Sequence, residues 1–349
     1  MRRTVSTSNL ETPPVGAVRY VEALCPLLPA DAFRPVPARL SVLFLHLGVV
    51  LAGYWITRLA PPFFLPVITL IMGHSMACIG FLAHELSHNS IVTHRQFRYL
   101  FELLFWGLIL IPPTVWRRVH NHTHHLQTNT LGDPDRSFTV EERSRLTRWY
   151  TRIFYPYKSS FRWNPLVLLH LIPYIGRNVV SAFYPGGSKP ACVPNKPAYT
   201  SRERRYVALE LVIIACFQIG IFWSVGTWWH FFWVSPAAYA VTSAVVMAYI
   251  FTNHFLNPVS ATHDQLLNTT TVSVNPWLDR IHHHFSHHTE HHLFPGMNSD
   301  FYPRVSRLLE ELYPDRYHRL SIGKAWQMLW NRKQFDEVPQ REPPVVGKL

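Results

Sequence analysis

The sequence predicts an all-α membrane protein in which four transmembrane helices carry a cytosolic helical cap, and the cap holds a histidine-rich metal site. Three observations lead there. The chain is 48% hydrophobic but only 15% charged, where a soluble domain carries about 25% charged residues. Its apolar residues gather into four runs of membrane-crossing length. Three dense histidine clusters each follow a hydrophobic stretch, on the side where the cationic residues also lie.

The runs are Leu40–Ile56, Pro62–Ala83, Tyr206–Gly226 and Phe231–Thr252, each close to the roughly 20 residues that cross a bilayer. The first two join through a short link at Pro61 and Pro62, and the last two through Thr227–His230, so both pairs read as tight hairpins. Among the 33 Lys and Arg residues, all but Arg58 fall outside the runs on the side shared by both termini. The positive-inside rule then puts both termini, the 84–205 segment and the 253–349 tail in the cytosol. The multi-pass domain is expected over 40–330, between a cytosolic segment at 1–39 and a polar tail at 331–349 that reads as poorly ordered from Arg332. No signal peptide is expected, because the first apolar run starts near residue 40. Tyr99–Trp116 is also apolar, but Pro112, Pro113 and Glu102 interrupt it. It reads as an interfacial or partly re-entrant helix, and Asn164–Ile175 as a segment along the membrane surface. The net charge of +12 is accounted for by this bias and by anionic headgroups, and no nucleic-acid partner is expected. Cys25, Cys78, Cys192 and Cys216 form no CxxC pair and no disulfide framework.

The histidine clusters are His84-x-x-x-His88, His120-x-x-x-His124-His125 and His288-x-x-His291-His292. Imidazole is the commonest metal ligand among side chains, and a nitrogen set without cysteine suits iron, zinc or copper. Helical residues four apart share a face, so His84 and His88 project together if the second span continues past the bilayer. Adjacent pairs such as His124–His125 and His291–His292 diverge, so each member can reach a different ion, which favours a dinuclear centre. His254, just past the fourth span, is a ninth candidate. His122 lies about 200° around an α-helix from His120 and points away. His46, His74, His94, His170 and His230 read as surface or satisfied core residues, and His282–His284 with His287 as a nonspecific histidine run.

The three boxes, their order and their placement among four spans resemble the integral-membrane fatty acid desaturases and their hydroxylase relatives over about residues 40–330. The stretch His291-His292-Leu293-Phe294-Pro295 is similar to acyl-lipid and front-end members, and Trp116-Arg117-Arg118 and Thr128-Asn129 around the second box have the same character. The resemblance implies two non-haem iron ions held by His84, His88, His120, His124, His125, His254, His288, His291 and His292. It further implies an O2-dependent oxidoreductase that removes two hydrogens from adjacent methylenes of a fatty acyl lipid. Two departures bear on subclass. Where acyl-CoA desaturases carry an asparagine one turn before the histidine matched by His254, this chain has Ile250, with Asn253 or Asn257 nearby; where many front-end enzymes have glutamine, it has His288.

Electrons must come from outside, because the chain has no GxGxxG fingerprint, no ferredoxin cysteine set and no HPGG haem motif. A ferredoxin, cytochrome b5 or rubredoxin-like donor is implied. Glu85, Asp133, Asp135 and Glu290 are candidates to orient imidazoles, although Asp133 and Asp135 read first as solvated loop carboxylates. The alternative reaction is oxygen insertion by a lipid, carotenoid or alkane hydroxylase or ketolase. A metal transporter or sensor is a remote alternative, because transport sites lie near the bilayer midplane.

Overall fold

The computed structural model describes residues 17–158, 164–184, 189–190 and 192–339. Among the described residues, four helices are long and apolar enough to cross a membrane: Arg39–Thr57, Pro62–Ser87, Ser201–Val225 and Trp228–His254. They match the four apolar runs to within a few residues, and the last begins three residues early because Thr227 caps it, its hydroxyl accepting from the His230 N–H. The second span is the inner one. It packs between the first and the fourth, and every residue from Ser75 to Ser87 is buried. Apolar side chains on the other spans stay exposed, among them Leu45, Val212 and Trp223, as lipid-facing surfaces require.

Small groups set the close approach of the second and fourth spans. A Cβ on Gly73 would lie 2.5 Å from both the Ala238 carbonyl oxygen and Val241 Cβ. The Thr242 hydroxyl donates to the Gly73 carbonyl at 3.0 Å across the same seam. Pro236, which cannot donate a backbone hydrogen bond, falls in a π turn at Trp233–Ala237 inside the fourth span.

The apolar segment around Tyr99 forms Arg95–Leu108 and Pro113–Gln127, which meet at 101°. Glu210, passed over inside the third apolar run, holds this bend: it accepts from the Thr114 N–H at 3.0 Å, the Thr114 hydroxyl at 2.7 Å and the Tyr99 hydroxyl at 2.9 Å. A buried carboxylate in a span needs such partners. Glu102, also buried, pairs with Arg117 at 3.1 Å. The surface segment near Asn164 becomes Pro165–Leu169 and Leu171–Phe183, docked on the fourth span through the Ser243 hydroxyl, which donates to the Leu168 carbonyl.

Beyond the spans the chain remains largely helical. The all-α expectation takes one small addition, a two-stranded parallel ribbon pairing Thr271–Ser273 with Arg319–Ser321. The N-terminal helix Ala17–Leu24 buries Tyr20 and Leu24 against Leu293, Phe294 and Tyr302. The expected loose tail is a correction over its described part, which reaches residue 339. Arg332 pairs with Asp336 at 2.6 Å and donates to the Asn257 carbonyl, while the Asp336 N–H bonds the Phe138 carbonyl. Residues 340–349 lie outside the described residues.

Gly73→Ala should lower the unfolding midpoint in detergent by an amount equivalent to about 1–3 kcal/mol, the cost of overpacking against backbone. Gly48→Ala, with nothing within 4 Å of the added carbon, should be neutral or slightly stabilising. Equal midpoints for the two variants would contradict this packing.

Candidate metal centre

The second span runs on as helix through Ser87, with His88 as its C-cap, so His84 and His88 share a face one turn apart. The second box behaves differently. Residues Arg117–His124 form a π-helix, and the His125 N–H bonds the His120 carbonyl five residues back. A π turn brings i and i+5 together, so His120 pairs with His125, and His124 is turned elsewhere. This corrects the uniform α register expected from spacing. The third box lies on the α-helix His288–Leu293, where i and i+4 align, so His288 pairs with His292 and His291 diverges. His254 ends the fourth span.

The result is two adjacent groups. His84, His88, His120, His125 and His291 form one; His124, His254, His288 and His292 form the other; within each group the nitrogens lie within 4.8 Å of one another. All nine candidate histidines fall in these two groups, and the adjacent pairs 124–125 and 291–292 are split between them. His122 is exposed and outside both. Asn253, buried, has neither side-chain atom partnered, and Asn257 is taken up by Thr270.

The nitrogen contacts indicate what the groups are suited to hold. His120 Nε2 lies 2.8 Å from His84 Nε2 and 3.1 Å from His125 Nε2, which is itself 3.1 Å from His291 Nε2. In the other group, His288 Nε2 is close to both His254 Nε2 and His292 Nε2. A ring nitrogen carries either one proton or one lone pair, so it cannot satisfy two such neighbours by hydrogen bonding. A cation among the lone pairs satisfies them all. With metal–nitrogen bonds of about 2.1 Å, ligand atoms at right angles are about 3.0 Å apart, which matches the spacing. His88 Nε2, buried without a partner, completes the same picture. Burial and the neighbouring imidazoles hold His120, His125, His291 and His292 well below the usual imidazole range. Burial, with His124 adding, pushes His88 and His288 down to about 3. All six are therefore neutral, as metal ligands must be.

Groups behind the imidazoles fix their orientation. His124 Nδ1 lies 2.9 Å from both Asp133 oxygens, so Nδ1 carries the proton and Nε2 faces inward. Burial opposes charge on His124, yet Asp133 outweighs it and shifts the titration of the ring above the usual imidazole range. Asp133 is itself held by the N–H groups of Asn129 and Asp135. The solvated-loop reading of Asp133 is thus a correction: it is 1% exposed. Thr128 and Tyr302, which nothing in the spacing signals, contact His292 Nδ1 and His291 Nδ1. Glu85 and Glu290, expected as orienters, do other work. Glu85 is clamped by Arg39 and accepts from the Ser299 hydroxyl, while Glu290 accepts from Thr271 and Tyr317.

An apolar cavity reaches the centre. His84, His120, His124 and His254, drawn from both groups, stand in its wall beside Gly80, Ile109, Val246, Ile250 and Phe285. His170, which reads from sequence as a bystander, lines it with Asp135, Tyr174 and Arg177. There the Tyr174 hydroxyl donates to Asp135 at 3.0 Å.

Because the π turn absorbs one residue, deleting exposed His122 should convert the box to an α-helical HxxHH and leave its metal content intact. Inserting an alanine at the same point should abolish binding. Metal analysis of purified protein checks both, and loss of metal on deletion would show that the π turn is not the source of the spacing.

The fatty acid desaturase family model matches residues 37–323. The sn-1 oleoyl-lipid 12-desaturase of Anabaena variabilis is 30% identical over 112 residues, 30% of each chain. The endoplasmic reticulum omega-6 fatty acid desaturase of Brassica juncea is 24% identical over 62% of this chain and 58% of its own length. The sn-1 oleoyl-lipid 12-desaturase of Synechocystis sp. is 21% identical over 83% of this chain and 80% of its own. The first two alignments thus span less than two thirds of those relatives. The family match covers most of the chain, and the protein belongs to the fatty acid desaturase family.

Proposed function

We propose that the protein is a membrane acyl-lipid desaturase working at two non-haem irons held by the nine grouped histidines. The observation that carries this is the apolar cavity with histidines of both groups in its wall. The reaction converts two adjacent methylenes, O2, two electrons and two protons into one C=C bond and two waters. When bound, the iron pair supplies the O2-dependent oxidation, and a separate ferredoxin, cytochrome b5 or rubredoxin-like protein supplies the electrons.

The chain's own residues bind and orient. Ile109, Val246, Ile250 and Phe285 give the acyl chain an apolar wall and keep bulk water from the reacting carbons. Gly80 leaves room beside the first histidine group: a Cβ there would come to 3.3 Å from Ile109 Cδ1. Asp133, by keeping the proton of His124 on Nδ1, holds that ring with Nε2 inward. The relatives' printed substrates, oleoyl lipids, support a lipid-linked chain as substrate. The Lys and Arg distribution supports a cytosolic centre and cytosolic termini. The nine grouped histidines lie at the ends of the second and fourth spans and on helices outside the spans, which speaks against transport through this centre.

Expression in a host with a compatible donor should yield new unsaturated acyl chains, read by mass spectrometry of host lipids. Gly80→Leu should cut product at least about tenfold, a barrier change of about 1.4 kcal/mol, while keeping the iron. Reporters at either terminus and near residue 150 of the same expressed protein should face the cytosol. Hydroxylated products would replace desaturation with oxygen insertion, and a reporter at 150 on the far side would overturn the orientation.

A further inference from the structure

Away from the nine histidines, His74, Cys78 and His282 gather a second kind of donor set, with one ligand atom from each within 4.8 Å of the others. His74 and Cys78 are four residues apart on one face of the second span. His282 reaches them from the turn that leads into the third box, its Nε2 at 3.1 Å from His74 Nε2. Cys78 Sγ lies 3.9 Å from His74 Nδ1, and Cys78 and His282 are both buried. Tyr249 on the fourth span contacts His282 Nδ1 at 2.8 Å, the kind of outer contact that fixes which nitrogen of a ligating imidazole faces inward.

The backbone pays to present His282 this way. His283 and His284 follow it at φ 54° and 58°, two consecutive non-glycine residues in the left-handed region, where strain of this kind tends to mark functional sites. Phe81 and Phe285 stack beside the cluster and wall it off.

We propose that His74, Cys78 and His282 form a third metal site, distinct from the nine-histidine centre, that takes monovalent copper. Two imidazoles and a thiolate are a soft set that selects copper(I) or zinc. Burial among apolar side chains selects between them. A thiolate with a monovalent ion is neutral overall, whereas a divalent ion leaves an uncompensated buried charge. Binding breaks the Cys78 S–H bond, forms a copper–sulfur bond and releases one proton to solvent, with no change in the oxidation state of copper. The ion would tie the second span, which carries His84 and His88, to the turn that positions His288.

The centre with nine histidines contains no sulfur ligand, so sulfur is diagnostic. Full-length protein in detergent, titrated anaerobically with copper(I) as its acetonitrile complex, should show a sulfur scatterer by X-ray absorption at the copper edge. Cys78→Ser should leave nitrogen scatterers only, and the triple variant Cys25→Ser, Cys192→Ser, Cys216→Ser should keep the sulfur signal. His282→Gln, a check should Cys78→Ser fail to fold, should raise the copper dissociation constant at least about tenfold. Wild-type protein with nitrogen scatterers only would mean a plain His74–His282 hydrogen bond and would overturn the proposal, as would sulfur that survives Cys78→Ser.

Discussion

Nine clustered imidazoles, eight buried and His88 partly so, with ring nitrogens turned toward one another are the constraint on which the rest of the fold depends. Where one nitrogen lies 2.8–3.2 Å from two others, its single proton or lone pair can satisfy only one of them by hydrogen bonding, and a cation is needed to satisfy the set. The rings would sooner rotate apart into water. They stay because the second span, the second-box helix, the end of the fourth span and the third-box helix are each locked in place. The Arg39–Glu85 pair joins the start of the first span to the end of the second, and Ser299 and Asn298 extend that clamp to the loop after the third box. Breaking such a buried pair on one side costs about 3–5 kcal/mol. Glu210 and Asp133 do comparable work for the second box, one at its entry and one behind His124.

The division of the histidines follows from helix period. In the third box the α period pairs His288 with His292; in the second, a π turn pairs His120 with His125 across one more residue. Each box therefore gives two rings to one group and one ring to the other, in opposite senses. His84 and His88 complete the group of five, and His254 the group of four. A single helical period in both boxes would have wasted the extra residue in the second.

Much of this was legible in the sequence, because periodicity and hydropathy are local signals. The four spans, the continuation of the second past His84 and the placement of His122 outside both groups follow from hydropathy and residue spacing alone. The π turn does not, since nothing in Arg117–His124 marks a change of period except the added residue itself. Asp133 is legible as one of four candidate orienting carboxylates, but its burial is not, because that is tertiary: read locally, Gly132-Asp133-Pro134-Asp135 is a turn, and only docking against His124 removes it from water. Glu210 was missed outright, since one carboxylate barely changes the hydropathy of a 25-residue helix, and its partners lie about a hundred residues earlier. Thr128 and Tyr302 carry no sequence signal for contact with the clustered imidazoles. The docking of Arg332 and Asp336 depends on Asn257 and Phe138, likewise remote in the chain.

The central claim is that two ions sit among nine histidines divided five and four. Iron-edge anomalous diffraction from the iron-loaded, full-length protein tests it most directly. Two peaks are predicted, one inside the group of His84, His88, His120, His125 and His291, and one inside that of His124, His254, His288 and His292. A single peak shared by both groups, or iron bound instead at Asp279, His284 and His287, would contradict the account.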